Sequence, residues 1–229
     1  NEIDMAVILT EGIIKDITEG NPSKIVQIFV ESPLIWGIHV AQDSAYKNLS
    51  ELKGQKAAIS RYGSGSHLMA YVNALKLKWN TASDLQFEVV KDLDGAVESL
   101  SRKEADYFMW EKFTTKPLVD EKIFRRLGDC PTPWPCFVIA VRDEFILNEK
   151  ETLQNILKTI NAITSSFKEI SQIDRIISER YQQKNEDVKA WLELTKWSQK
   201  NIDPETVEAV QNQLLKLNII SEKWAYDQL

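Results

Sequence analysis

The residues of this chain with chemistry to offer gather where short apolar runs give way to glycine, serine or tryptophan. The segment Ile59-Ser60-Arg61-Tyr62-Gly63-Ser64-Gly65-Ser66-His67 reads as a strand end, a Gly/Ser loop and the start of a helix carrying Leu68, Tyr71, Val72 and Leu75. Glycines let the backbone approach a ligand closely, and Ser64 or Ser66 can cap the helix while offering a hydroxyl. Such a turn suits a small anion or a polar ring, because a helix start presents free N–H groups and a positive dipole end. An ordinary capped helix start accounts for the same residue types. No Gly-Lys-Ser/Thr follows, as a Walker loop requires, and Leu68 stands where a dinucleotide fingerprint has its third glycine. ATP and NAD are therefore disfavoured.

Two further turns share this character. Leu9-Thr10-Glu11-Gly12 is a strand end with a hydroxyl at the N-cap position, and Trp110-Glu111-Lys112-Phe113-Thr114-Thr115-Lys116-Pro117 ends a strand in an aromatic ring and a carboxylate. Rings at strand ends can stack on planar ligands. Cys130-Pro131-Thr132-Pro133-Trp134-Pro135-Cys136 is a stiff loop that places Trp134 either over a pocket or against a neighbouring lobe. Its two cysteines either close a small disulfide or remain reduced, and their separation is too wide for the redox pair Cys-x-x-Cys. Of the two histidines, His39 lies in an apolar strand, where a satisfied core histidine is the expected outcome, and His67 opens the helix after the Gly/Ser loop. Gly63-Ser64-Gly65 is too short for a nucleophile elbow, so Ser-His-Asp hydrolysis is disfavoured. No metal site or cofactor is expected, since two cysteines and two dispersed histidines do not make a ligand set.

The elements that must position these turns follow from composition and periodicity. The 229 residues carry 28 Lys+Arg against 34 Asp+Glu, a net charge of −6, the wrong sign for a nucleic-acid binder. No apolar run approaches the ~18–20 residues of a membrane span, and the first residues lack a signal-peptide pattern. All 8 glycines and all prolines except Pro204 precede residue 150, leaving an all-helical last third. Leu153, Ile156, Leu157, Ile160, Ile163 and Phe167 recur at helical spacing, as do Ile173, Ile176, Ile177 and Tyr181. Val188, Trp191, Leu192 and Thr195 suggest another helix, and Asp203-Pro204-Glu205 opens a last one. Before residue 150, strands are expected at 5–9, 25–30, 34–41, 56–59, 87–90, 107–110, 123–126 and 137–141, alternating with helices at 12–18, 49–53, 66–79 and 95–102. This alternation implies α/β units on a largely parallel sheet.

An internal echo supports two similar lobes. Glu2-Ile3-Asp4-Met5-Ala6-Val7 and Glu104-Ala105-Asp106-Tyr107-Phe108-Met109 share a Glu-x-Asp before an apolar strand. A strand and a helix precede the second copy and nothing precedes the first, so the first lobe is expected to lack a strand-helix segment of roughly 30–50 residues.

Leu52-Lys53-Gly54-Gln55-Lys56-Ala57-Ala58, Gly63-Ser64-Gly65-Ser66, and Gly95-Ala96-Val97 running to Glu104-Ala105-Asp106 and Trp110-Glu111 carry a family likeness. The chain resembles the type 2 periplasmic binding proteins, in the solute-binding group of nitrate, sulfonate, taurine and thiamine-pyrimidine ABC transporters. The resemblance implies an α/β fold of two lobes, residues 1–42 with 141–229 and residues 43–140. Leu34 to Gln42 and Phe137 to Arg142 would cross between them as hinge strands. It implies a non-enzymatic protein that traps a small polar or heteroaromatic ligand in an interlobe cleft by hinge closure, with an ABC permease as partner. Ligand contacts would fall on Thr10, Glu11, Ser32, Trp36, Ser60, Tyr62, Gly63, Ser64, Gly65, Ser66, His67, Trp110, Glu111, Thr114, Trp134 and Cys136. Ser64 and Ser66 would receive the polar group, Trp110 and Trp134 would stack on its planar part, and Glu111 would favour an amine or ring N–H. The resemblance implies a periplasmic or lipid-anchored location; a cytoplasmic one stays open. A thiamine-pyrimidine biosynthesis enzyme of the same fold, to which His67 fits but Cys130 and Cys136 do not, and the sensing domain of a regulator are the alternatives.

Overall fold

The computed structural model describes residues 3–229, so Glu2, the first residue of the echo, lies outside the described residues. The elements in chain order are β1 (Met5–Leu9), α1 (Thr10–Thr18), β2 (Ser23–Val30), β3 (Ile35–Ala41), β4 (Lys56–Ile59), α2 (Gly65–Lys76), β5 (Gln86–Val89), α3 (Leu93–Ser101) and β6 (Tyr107–Glu111). There follow α4 (Lys116–Asp120), β7 (Phe124–Pro131), β8 (Phe137–Arg142), α5 (Asp143–Asn148), α6 (Lys150–Ser166), α7 (Ile173–Tyr181), α8 (Asn185–Leu194) and α9 (Pro204–Lys216). Each expected strand is present within a few residues, the largest difference being β7, which runs on to Pro131. The expected helix at 49–53 is a single tight turn, Leu49–Leu52.

The chain divides into two compact units. One comprises the stretch ending at Pro33 with Pro133–Leu229, and the other is Leu34–Thr132. These boundaries differ from the expected 42 and 141 because neither expected hinge strand crosses. β3 is bonded on both edges inside the second unit, to β6 and β7, and β8 on both edges inside the first, to β1 and β2.

The first unit holds a three-stranded sheet in the order β1-β8-β2. A largely parallel sheet was expected; here both pairings are antiparallel, because β8 inserts between two strands that run the same way. One face buries Ile13 and Ile17 of α1, Ile28, Val138 and Ala140, closed by Ile202, Val207 and Leu229 from the end of the chain. The other face buries Ile139 and Val141 under Leu153 of α6. The helical last third is interrupted at 195–203, where Trp197 bridges Val30, and Ile163, expected on the buried face, is 52% exposed.

The second unit holds a five-stranded sheet in the order β5-β4-β6-β3-β7, with β5, β4 and β6 parallel and β3 antiparallel to both its neighbours. Trp36, Ile38, Met69, Tyr107 and Met109 form one core and Ala58, Ala96, Leu100, Phe108 and Phe124 the other, so both faces are covered. Asp92 caps α3 by accepting the Gly95 N–H at 2.9 Å. A Cβ on Gly95 would stand 1.9 Å from the Val90 carbonyl oxygen, so the helix seats only on glycine.

His39 is fully buried in β3, its Nε2 3.0 Å from Thr115 Oγ1. Burial, reinforced by the nearby Arg126 charge, lowers its pKa to about 4.

Two outcomes are expected. Gly95→Ala destabilises by about 1–3 kcal/mol, lowering the melting temperature by roughly 2–4 °C per kcal/mol; an unchanged melt would show that α3 does not press on Val90. For His39 the unfolded chain binds the extra proton between pH 6.5 and about 4, so stability is fully present above 6.5 and falls as pH is lowered through that window. The loss reaches on the order of 3 kcal/mol, and melting curves against pH should be flatter for His39→Gln.

Candidate functional site

In the second unit, the parallel strands β4 and β6 end at the same sheet edge, since Ala58 is opposite Phe108. The loops that follow carry most of the expected site residues, at the edge where open α/β sheets bind ligands. After β4, Ser60 donates its N–H to Ser66 Oγ at 3.0 Å, and Ser64 Oγ donates to the Arg61 carbonyl at 2.6 Å. Ser64 is the N-cap of α2, accepting the His67 N–H, and its hydroxyl lies 3.1 Å from that of Ser66. Gly63 takes a left-handed backbone, φ +75°, and donates its N–H to His67 Nδ1 at 3.1 Å.

Both serines are buried, and their hydroxyls hold the loop in shape, Ser66 by accepting the Ser60 N–H and Ser64 by capping α2. The Tyr62 ring is 65% exposed beside the start of α2, where the N–H groups of Gly65 and Ser66 have no intrahelical acceptor. His67 is enclosed edge-on by Tyr62 (5.2 Å), Tyr71 (5.1 Å) and Phe87 (4.7 Å), and burial lowers its pKa. It anchors the loop by accepting the Gly63 N–H on Nδ1. Tyr71 and Phe87 were not foreseen as part of this cluster; the i,i+4 spacing of His67 and Tyr71 was the available signal, and none marked Phe87.

After β6, the half-buried Trp110 stacks on Phe108 (5.3 Å, 24°) and meets buried Trp36 edge-on (6.5 Å, 72°). Glu111 Oε2 accepts from Phe113 N, Thr114 N and Thr114 Oγ1, at 3.0, 2.7 and 2.9 Å. The carboxylate expected to choose an amine ligand therefore ties the turn after its own strand, and Thr114 is its partner.

The first unit gathers Thr10, Glu11, Trp134 and Cys136. Thr10 Oγ1 donates to the Pro135 carbonyl at 2.6 Å and Thr10 N to the Cys136 carbonyl at 3.1 Å. Trp134, 5% exposed, donates its Nε1–H to Glu11 Oε2 at 2.8 Å, so it lies against its own unit and does not present a free stacking face. Glu11 is 3% exposed and burial raises its pKa. Ser32 accepts the Lys196 N–H on its hydroxyl and the Cys136 N–H on its carbonyl. Both cysteines are buried, neither is in a disulfide, and burial pushes the Cys130 thiol up to about 11, the opposite of an activated nucleophile.

Residues 36–130 match the Ca3427-like PBP family model. Among solved structures, the Candida albicans CA3427 gene product, described as having the generic periplasmic binding protein fold, is 26% identical with a TM-score of 0.86, covering 98% of this chain and 76% of that one. The alkanesulfonate-binding protein SsuA from Xanthomonas axonopodis pv. citri, bound to MOPS, is 14% identical with a TM-score of 0.79, over 96% of this chain and 77% of that one. A ligand-binding component of an ABC-type import system from Staphylococcus aureus is 17% identical, TM-score 0.74, over 99% and 78%. No curated protein matches. The chain thus has the periplasmic binding protein fold, and the type 2 resemblance carried by its motifs is upheld.

Ser66→Ala removes the acceptor of the Ser60 N–H and is expected to cost about 1–2 kcal/mol in thermal unfolding. An unaltered melting temperature would mean the hydroxyl triad does not hold the loop.

Proposed function

We propose that this chain is a solute-binding protein that captures a small polar or heteroaromatic molecule without breaking a bond in it. The observation that carries the proposal is the strand-end edge of the second unit. There a loop tied internally by three serines and a histidine holds an exposed aromatic ring, Tyr62, beside the start of a helix. Such a loop is pre-organised: its hydroxyls are satisfied from within, so little ordering is required when a ligand docks. Capture by closure, which the resemblance implies, selects the ligand-bound state by differential affinity. Delivery to an ABC permease and an extracytoplasmic location belong to the same proposal, in keeping with the import-system proteins of like fold. Among the described residues no helix is long and apolar enough to cross a membrane.

The test is a thermal-shift panel with alkanesulfonates, nitrate, taurine, aminopyrimidines and thiamine. One class is expected to raise the melting temperature by several degrees, since a ligand at 100 times its dissociation constant adds about 2.7 kcal/mol. Tyr62→Ala should weaken that ligand by about 1 kcal/mol, roughly fivefold, with only a small drop in the ligand-free melting temperature, since the ring is 65% exposed and meets His67 and Phe87 edge-on. A flat response across the panel would overturn the proposal.

A further inference from the structure

Strand β2 sends a polar side chain into its packing against α6. Gln27, midway along Ser23–Val30, is 4% exposed, and its carboxamide pairs with that of Asn161 in both directions. Gln27 Nε2 donates to Asn161 Oδ1 at 2.8 Å and Asn161 Nδ2 donates to Gln27 Oε1 at 3.1 Å, while Gln27 Nε2 also reaches the Ser198 carbonyl at 3.1 Å. An apolar pair would join helix to strand without burying amides. Ile163, two residues further along α6, is meanwhile 52% exposed. The helix is thus seated on a polar contact where an isoleucine was close by.

Beside that pair lies an open groove of about 620 Å³, contained wholly in the first unit. Gln154, Lys158 and Asn161 line it at helical spacing from α6, and Gln199 and Asn201 from the loop before α9. No carboxylate lines it, although the chain has 34 acidic residues and a net charge of −6; Lys158 is its charged side chain. The side chains of Gln154, Lys158 and Asn201 make no hydrogen bond or ion pair with the described residues. Gln199 Nε2 donates to Ser165 Oγ at 2.7 Å and to the Asn161 carbonyl at 3.3 Å, and its Oε1 has no donor among the described residues.

A carboxamide both donates and accepts, which matches the two roles of a hydroxyl, and an ammonium offers three donors and a full charge to an anion. No aromatic ring lines the groove, so it does not favour a planar ligand by stacking. We propose that this groove is a second binding site of the chain, for a polyhydroxylated ligand with a single anionic group, of the class of sugar acids. Lys158 holds the charge, and Gln154, Gln199 and Asn201 exchange hydrogen bonds with the hydroxyls. Gln27 and Asn161 are positioning residues that fix α6 against the strand. A neutral sugar lacks the charge and a simple carboxylate lacks the hydroxyls, so each binds more weakly. This site does not rest on solute capture at the strand-end edge of the second unit.

The experiment is titration of the whole chain with gluconate, with glucose and acetate as controls, followed by NMR on the side-chain amide signals. Gluconate is expected to move the carboxamide signals of Gln154, Gln199 and Asn201. It is expected to bind about tenfold more tightly than either control, the worth of one charge-assisted hydrogen bond. Lys158→Met and, separately, Asn201→Ala should weaken gluconate severalfold with little change in melting temperature, since both side chains are exposed. Tyr62→Ala should leave gluconate binding unaltered. Absence of gluconate binding would overturn the proposal, and affinity no better than that of acetate would reduce the site to ion pairing with a surface lysine and overturn it too. Binding that ignores both groove variants, or that Tyr62→Ala weakens, would place gluconate at the strand-end edge, overturning the second site while supporting solute capture.

Discussion

Strand β8 has to satisfy the backbone of two strands that lie more than a hundred residues before it. Its residues Phe137 to Val141 pair with Leu9 back to Met5 on one edge and with β2 on the other, so neither β1 nor β2 has a ladder in this sheet without it. The approach to β8 is consequently fixed as well: the Pro135 and Cys136 carbonyls take the hydroxyl and N–H of Thr10, and Trp134 comes to rest against Glu11. A rigid proline-rich segment suits this task, because proline restricts the unfolded chain and needs no N–H partner. The polar cluster of the first unit is thus a by-product of how a distant strand enters the sheet.

The second unit solves a similar problem with side-chain hydroxyls. A turn between a buried strand and a buried helix leaves backbone N–H groups away from water, and each must find an acceptor. Ser60 finds Ser66, His67 finds Ser64 and Gly63 finds the His67 ring. Residue types that look poised for chemistry in the sequence are thereby bound to the backbone. Glu111 follows the same rule, closing the turn after β6.

Structures of like fold include sulfonate-binding proteins, yet likeness of fold does not transfer the ligand. The charge at the strand ends is a property of this chain. Of the two carboxylates placed there, Glu111 closes the turn after its own strand through Oε2 and Glu11 is buried against Trp134.

Alternation of apolar runs and the Gly/Ser loop after Ile59 were sufficient for the α/β fold class, because strand length, helix period and turn chemistry are local properties of the chain. His39 was legible as a core residue for the same reason. The role of each polar side chain was not legible. Whether Ser66 faces a ligand or Ser60, whether Trp134 stacks outward or onto Glu11, and whether β3 and β8 cross or stay within one sheet depend on partners far apart in sequence. Hydrogen-bond satisfaction in a buried setting is decided by those partners, and only the tertiary structure supplies them.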